Sequence, residues 1–432
     1  SLSLSFSVSQ MAEVEDIVIV GAGIAGLSTA LGLHRFALYG CGSFPWMGLK
    51  SVVLESSDHL RTSGFALAMW SNAWRALEVL GAADSLRRLH VQLQGVVIAS
   101  AVSGDITSQI TLKSEAKSGD PEIRCVRRNV LLGALASDLP QGTIRFNSKV
   151  VLIEEQGSLK RLHLADGSTL DAKVLVGCDG VNSVVAKWLG VRRPVYAGRS
   201  ASRGIAEFPD GHGLNPNFLL YMGDGFRFGS QPCDEKHVYW FFTYTPSAKG
   251  KELEDDLVKT KQYVLSKLQN VPKEQLQVVE RTEPSAIISS PLRSRWPWEL
   301  LWGGGICKGN VCLAGDALHA MTPDLGQGGC SALEDGVTLA RCLGEVFPRK
   351  PPSGGVEEEQ ERIQAGLQKY AKERKWRSFE LICTAYVVGR IQQSGGALMN
   401  FLRDRWLASL MAKKLLSIQE FDCGNLSPKP SE

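Results

Sequence analysis

The chain has no run approaching the ~18 to 20 consecutive apolar residues that a bilayer-spanning helix requires, so a transmembrane segment is not expected. Its ten cysteines form no CxxC pair, and the nearest approach is Cys307 to Cys312. That scatter argues against a disulfide framework or zinc site and reads as reduced, mostly buried thiols in a cytoplasmic compartment. The seven histidines show no HxxxH spacing, and no metal is expected. A net charge of +3, without a block of Lys and Arg interleaved with aromatics, gives no reason to expect nucleic acid as a partner. There is no internal repeat at solenoid spacing.

What is present is an ordinary globular composition, 44% hydrophobic and 22% charged, over 432 residues. That length exceeds one compact core and suits two interleaved domains. Ser1 to Gln10 (SLSLSFSVSQ) lack a starting Met and a basic n-region, whereas Met11-Ala12-Glu13 makes a natural start before the first strand. The first ten residues therefore read as a processing or gene-model remnant, with the tail of a transit peptide, and so organelle import, left open.

Asp16 to Val20 (DIVIV) is a nearly all-apolar run that predicts a strand buried on both faces. It runs into Gly21-x-Gly23-x-x-Gly26, followed by a small and apolar helix over Ile24 to Leu33 and a second strand, Ser51 to Leu54, ending at Glu55. This is the pattern of a dinucleotide-binding βαβ unit. Gly21 permits the tight turn, Gly23 lets backbone approach a pyrophosphate, and Gly26 lets helix pack on strand. Ile24 and Ala25 open a helix whose free N–H groups and partial positive charge suit phosphate, and Glu55 suits ribose hydroxyls. The spacing to Glu55 is longer than the usual ~20 residues. The excess, Phe36 to Met47 (FALYGCGSFPWM), follows a helix end expected at His34-Arg35 and reads as an inserted loop or translated intron.

Two later stretches repeat the strand-to-glycine design. Val174 to Gly190 brings a buried strand to Asp179-Gly180, although an Asp before a short helix is also an ordinary N-cap. Val311 to Arg341 (VCLAGDALHAMTPDLGQGGCSALEDGVTLAR) delivers Gly315-Asp316, a carboxylate suited to a polyol. Its loop from Pro323 through Gly326, Gln327, Gly328 and Gly329 then opens a helix whose N–H groups suit developing negative charge on a ring carbonyl.

The order GAGIAG, CDGVNS, AGDALHAMTPDLGQGG resembles the single-component flavin monooxygenases, the group of para-hydroxybenzoate hydroxylase, salicylate hydroxylase and zeaxanthin epoxidase. The likeness spans Asp16 to about Leu343, and the flanking sequence looks closest to plant FAD-dependent monooxygenases. It implies non-covalent FAD, with Glu55 on the adenosine ribose, Asp316 on the ribityl chain and Gly326 to Gly329 at the pyrimidine edge. Pro323 would lie beside the oxygen-reactive carbon as the catalytic position. Arg61 matches the arginine after the acidic residue, Arg128 the family's R-x-x-L-L-x-x-L helix, and Val150 the backbone that meets adenine. Asp179 and Gly180 are assigned in the family to both FAD and NAD(P)H. The chain departs from the pattern at Lys187, where an arginine is common after the DG serine, and at Cys330, often Asn; the choice between NADH and NADPH stays open.

The resemblance implies an α/β fold of mixed α+β type. A Rossmann-like three-layer FAD-binding domain is interleaved with an antiparallel-sheet substrate domain and followed by C-terminal helices. The expected boundaries are FAD-binding parts at 11–95, 119–195 and 286–345, substrate-domain strands at 96–118 and 196–285, and helices and tail over 346–432. The implied chemistry is use of NAD(P)H and O2 to hydroxylate or epoxidise an aromatic or conjugated small molecule through a flavin C4a-hydroperoxide. A flavin reductase or dehydrogenase, or a non-catalytic flavin-binding regulatory module, are the alternatives. Tyr221, Arg227, Tyr239 and Trp240 are substrate-domain candidates whose default reading is sheet packing. His319 is expected to be structural, and Trp296-Pro297-Trp298 to pack. Phe401 to Leu416 reads as a basic amphipathic helix, for packing or peripheral membrane contact. Oligomeric state is not legible.

Overall fold

The computed structural model describes residues 13–39, 51–61, 65–112, 121–246, 256–302, 305–347, 355–393, 414 and 417–426. In chain order its strands are β1 Glu13–Val20, β2 Ser51–Leu54, β3 Ala66–Met69, β4 Gly95–Ser100, β5 Ile106–Thr111, β6 Arg124–Arg127, β7 Ile144–Arg145, β8 Val150–Gln156 and β9 Leu159–Leu164. There follow β10 Thr169–Gly177, β11 Val195–Glu207, β12 Asn217–Met222, β13 Phe226–Pro232, β14 His237–Tyr244, β15 Ile288–Ser294, β16 Cys307–Lys308 and β17 Val311–Leu313.

The apolar runs become the centre of the first sheet. β17, β10, β1, β2 and β7 lie side by side and parallel, with Ile17, Val18, Ile19, Val174, Leu175 and Val176 wholly buried. Strands without polar faces are stable only when covered on both sides. One cover is the helix Ile24–Tyr39, which packs against the helix Gly328–Val346 across small residues. A Cβ on Gly336 would stand 2.1 Å from Ser28 Oγ, so the two backbones approach too closely for any larger residue there. The Ile24 helix does not stop at His34-Arg35 as expected; it runs on to Tyr39 because Phe36, 7% exposed, still has a core to enter, over Gly344. Phe36 therefore belongs to the helix rather than to an insertion, and residues 40–47 lie outside the described residues.

The second sheet has seven strands in the order β15-β11-β14-β13-β12-β4-β5. It is antiparallel throughout except for the parallel pair β12 and β4, a departure from the purely antiparallel sheet expected, since β4 arrives from the other domain rather than by a hairpin from β12. Phe226, Phe228, Trp240, Phe242 and Tyr244 fill one face, under the helices Leu257–Lys267 and Lys273–Arg281. The opposite face, carrying Phe218, Leu220, Tyr239 and Phe241, turns toward the first sheet and roofs the cavity between them.

The helix Val356–Gln393 closes the structure along the side of the Gly328 helix. Trp296 and Trp298 pack as expected, though at the surface, each being 49% exposed. Trp298 stacks on Trp302 at 5.3 Å and Trp296 lies 6.1 Å from Tyr386. The segment Phe401 to Leu416 lies outside the described residues except for Lys414. No described helix is long and apolar enough to cross a membrane.

Candidate functional site

A single cavity of about 970 Å³ runs from the glycine turn of β1 to the inner face of the second sheet. At its first end the chain leaves β1 through Gly21, whose φ of +103° only glycine adopts without strain. A Cβ there would also lie 2.6 Å from the carbonyl oxygen of Cys178, the residue that follows the parallel neighbour β10. Gly26 is needed for a different reason, since its Cβ would stand 1.9 Å from the Gly21 carbonyl oxygen. Gly23 meets neither obstacle: a Cβ there would touch nothing within 4 Å and would project into open space beside the cavity wall.

Glu55 ends β2 next to this turn. Its carboxylate accepts the Ala22 N–H at 2.9 Å and the Ser57 N–H at 3.0 Å. Burial alone would raise the carboxyl, but these backbone donors outweigh it and hold it below its ordinary value. The carboxylate thus stays ionised, with unused lone pairs toward the cavity that Glu55 lines. Two cations line the same wall, Arg61 and Arg128, and neither ion-pairs with a described residue. Burial and then the neighbouring Arg61 charge hold the Arg128 guanidinium below its ordinary value, which an anion between the two would reverse.

On the opposite wall Asp179 Oδ2 accepts the Val184 N–H at 2.7 Å, but the cap of the short helix Val184–Trp188 is Ser183, whose Oγ accepts the Ala186 N–H at 2.8 Å. The other Asp179 oxygen, Oδ1, is buried without a partner among the described residues. Burial raises the Asp179 carboxyl above its ordinary value.

The floor is the stretch from Gly315 to Gly329. Asp316 lines the cavity just past Gly315, whose N–H donates to Asp335 Oδ2 at 2.7 Å. His319 is wholly buried and binds the same Asp335 oxygen at 2.6 Å, behind the wall, in keeping with a structural role. Pro323 to Leu325 form one 3-10 turn ended by Gly326 at φ +64°, and the Gly328 helix starts two residues later. Asp324 faces the second sheet and is clamped by Arg199 of β11 at 2.7 Å and Arg227 of β13 at 3.2 Å. Burial would push the Asp324 carboxyl up, yet the two guanidiniums hold it below its ordinary value.

The cavity therefore gathers Gly21, Gly23, Ile24, Ala25, Glu55, Arg61, Arg128, Val150, Asp179, Gly180, Asp316, Pro323, Gly326, Gly328 and Gly329 on one wall system. Gly26 and Gln327 stand behind it. Gln327 is 1% exposed and its Oε1 accepts Asn72 Nδ2 at 2.9 Å, so it braces the loop from inside. Of the sheet candidates, Arg227 and Tyr239 line the cavity, while Tyr221 and Trp240 serve the core on the far face. Lys187 is exposed away from the cavity, and Cys330 is buried beneath the loop against Gly326 O. Among the nine described cysteines seven are buried and two partly so, as the scattered pattern implied.

Sequence reasoning missed Phe65, Trp70 and Arg203. Two guanidinium carbons lie over the Phe65 ring, Arg203 at 4.9 Å and Arg128 at 5.7 Å from its centroid. No local pattern signals this, because the three residues come from three distant segments.

The chain matches the FAD binding domain family over residues 14–375. It is 51% identical to Monooxygenase 2 of Arabidopsis thaliana over 96% of this chain and 98% of that one. Monooxygenase 1 of the same plant is 33% identical over 95% and 99% of the two chains. Among solved structures, the crystal structure of Klebsiella pneumoniae HpxO complexed with FAD and uric acid aligns with a TM-score of 0.76 at 22% identity, covering 94% of this chain and 96% of that chain, a likeness of fold.

Proposed function

This chain belongs to the FAD binding domain family and is an FAD-dependent monooxygenase, and we propose that it uses NAD(P)H and O2 to oxygenate an aromatic or conjugated small molecule. The observation that carries this reading is the single cavity that joins the glycine turn, Glu55, Asp316 and the Pro323 loop to the inner face of the second sheet.

The residues fit FAD. Gly23, Gly180 and Gly328 each leave open the space that a Cβ would occupy, so backbone can approach a bulky group closely. Glu55 would accept from the ribose of the adenosine, beside the Val150 backbone, and Arg61 and Arg128 would supply positive charge to the pyrophosphate with the N-terminus of the Ile24 helix. Asp316 would receive hydroxyls of the ribityl chain, and the N–H groups that open the Gly328 helix would meet the pyrimidine edge. When bound, FAD supplies the electrons and the reaction with oxygen that no side chain can.

The rest of the work falls to the chain. The Arg199 and Arg227 clamp on Asp324 fixes the Pro323 backbone between floor and roof, and Phe218, Tyr239 and Phe241 exclude water above it. A dry, preorganised site favours transfer to the substrate over wasteful release of peroxide. The fold alone also suits a reductase, so chemistry must decide. The test is anaerobic reduction of the holoprotein by NADH and NADPH, with and without a panel of phenolic acids. Acceleration of flavin bleaching by one compound supports a gated monooxygenase; no reduction by either nicotinamide would overturn the reading.

A further inference from the structure

We propose that an exposed aromatic ridge, formed by residues 296–302 and one stripe of the helix Val356–Gln393, docks the protein on the surface of an anionic lipid bilayer. This surface lies outside the cavity, and its role does not depend on the reaction proposed above.

On the helix, Trp376, Phe379, Cys383, Tyr386 and Arg390 follow one another at spacings of three and four residues, so they share one face. The short helix Glu299–Trp302 lies against the same helix. Trp298 stands 5.3 Å from Trp302 and from Phe379, Phe379 5.7 Å from Trp376, and Trp296 6.1 Å from Tyr386. The rings thus join the two segments in one row. Large aromatic side chains bury most of their surface where a core is within reach. Trp302 and Trp376 are instead 78% and 65% exposed, the highest values of any described large hydrophobic side chain. A contiguous apolar surface of this kind marks an interaction site.

Charge selects what covers it. Lys372, one turn before Trp376, and Arg390 bracket the row at its two ends, and Lys375 reaches the Leu301 carbonyl at 3.5 Å beside the tryptophan turn. None of these three cations has an acidic partner among the described residues; Arg390 lies over the Tyr386 ring at 5.7 Å. The acids beside the row are already matched, Glu373 by Arg341 and Glu380 by Lys414. The ridge therefore carries surplus positive charge around an apolar crest. A second copy of this chain is disfavoured there, since a two-fold interface sets a patch against itself and would oppose the same cations. An anionic bilayer satisfies both features. Indole rings settle at the boundary of headgroup and acyl chain, with the ring buried and the N–H wet, and Lys or Arg beside them is drawn to the charged leaflet. The same helix also touches the cavity wall, because a Cβ on Gly389 would lie 2.2 Å from Arg199 and 2.4 Å from Asp324. Docking would hold the Pro323 loop about one helix diameter, ~10 Å, from the headgroups.

The test sediments the full chain with vesicles of phosphatidylcholine, alone or mixed in equal part with phosphatidylglycerol, and follows tryptophan emission with brominated lipid as quencher. The wild type should bind the mixed vesicles, bind phosphatidylcholine more weakly, and show quenching. Trp302→Ser combined with Trp376→Ser should weaken binding at least ~10-fold, the loss of roughly one buried ring, and remove most of the quenching. Its melting temperature and FAD content should match the wild type, because both rings are mostly exposed. Lys372→Gln combined with Arg390→Gln should lower the preference for the mixed vesicles and leave binding to phosphatidylcholine unchanged; it carries the test if the tryptophan pair does not fold. Binding to neither vesicle, equal binding to both, or binding unchanged in both paired variants would overturn the proposal. A chain that ignores vesicles but forms a dimer that the tryptophan pair dissociates would also overturn it, by assigning the ridge to a second copy.

Discussion

Arg374 Nε lies 2.6 Å from Asp335 Oδ1, and neither side chain has any exposure. Asp335 in turn receives the Gly315 N–H, so the Val356 helix is tied through one carboxylate to the turn that presents Asp316. Arg374 also binds Glu334 at 2.7 Å, and Glu334 accepts Asn72, which holds Gln327. Both sides of the floor thus lean on the same arginine.

Arg374→Met should therefore lower stability by about 3 to 5 kcal/mol, because two buried carboxylates each lose one cationic partner, leaving Glu334 with Arg377 and Asp335 with His319. FAD content should fall with it, since Gly315 and Gln327 lose their bracing. Pairing the substitution with Asp335→Asn should restore part of the loss, because one uncompensated charge is removed. Urea titration of the holoproteins measures all three; a loss under about 1 kcal/mol would show that the network is not structural.

Two glycines of the first turn separate folding from cofactor binding. Gly26→Ala should fail to fold or lose several kcal/mol, since its Cβ meets the Gly21 carbonyl at 1.9 Å. Gly23→Ala has nothing within 4 Å, so the apoprotein should keep its melting temperature while FAD content drops. Differential scanning fluorimetry beside flavin absorbance reads both. Equal FAD occupancy in Gly23→Ala and wild type would contradict the close approach assigned to this turn.

Stability should be lost on the acid side in two stages. His90 is held below its ordinary 6.5, chiefly by burial, so stability is complete above that value and declines as pH falls toward the folded pKa. Burial opposes ionisation of Glu334 and Asp335, yet for Glu334 the Arg374 and Arg377 charges, and for Asp335 the His319 and Arg374 charges, prevail. The two carboxyls are thereby held below 4.5 and 3.8. Their contribution is present above those values and lost as pH falls through the lower folded ones. His90→Gln should shrink the first stage, which His34, also lowered chiefly by burial, shares, and leave the second. Urea midpoints taken across the pH range check this, and a midpoint independent of pH below 4.5 would contradict it.

The cofactor half of the fold was legible because its constraints are local. DIVIV before Gly21, and VCLA before Gly315, state in a few residues that a strand is buried on both faces and ends in a tight turn. The helix end was misread at Arg35 because a single buried ring, Phe36, decided it through a contact more than 300 residues away. Gln327 sits in the right motif yet turns inward to Asn72, a choice set by the Glu334 network rather than by its neighbours in sequence. The substrate end was the least legible. Arg203, Phe65 and Arg128 meet only after β11, the loop before β3 and the helix Arg128–Ala136 are assembled, and the period-2 pattern of a strand gives no sign of what its inner face will meet.

Oxygen transfer to the substrate is read out by turnover under labelled dioxygen. With NAD(P)H and a compound that accelerates flavin reduction, mass spectrometry of the product should show one oxygen atom from O2 and none from labelled water. Nicotinamide consumption that yields only hydrogen peroxide, or a product without the label, would contradict a monooxygenase and leave a reductase on this scaffold.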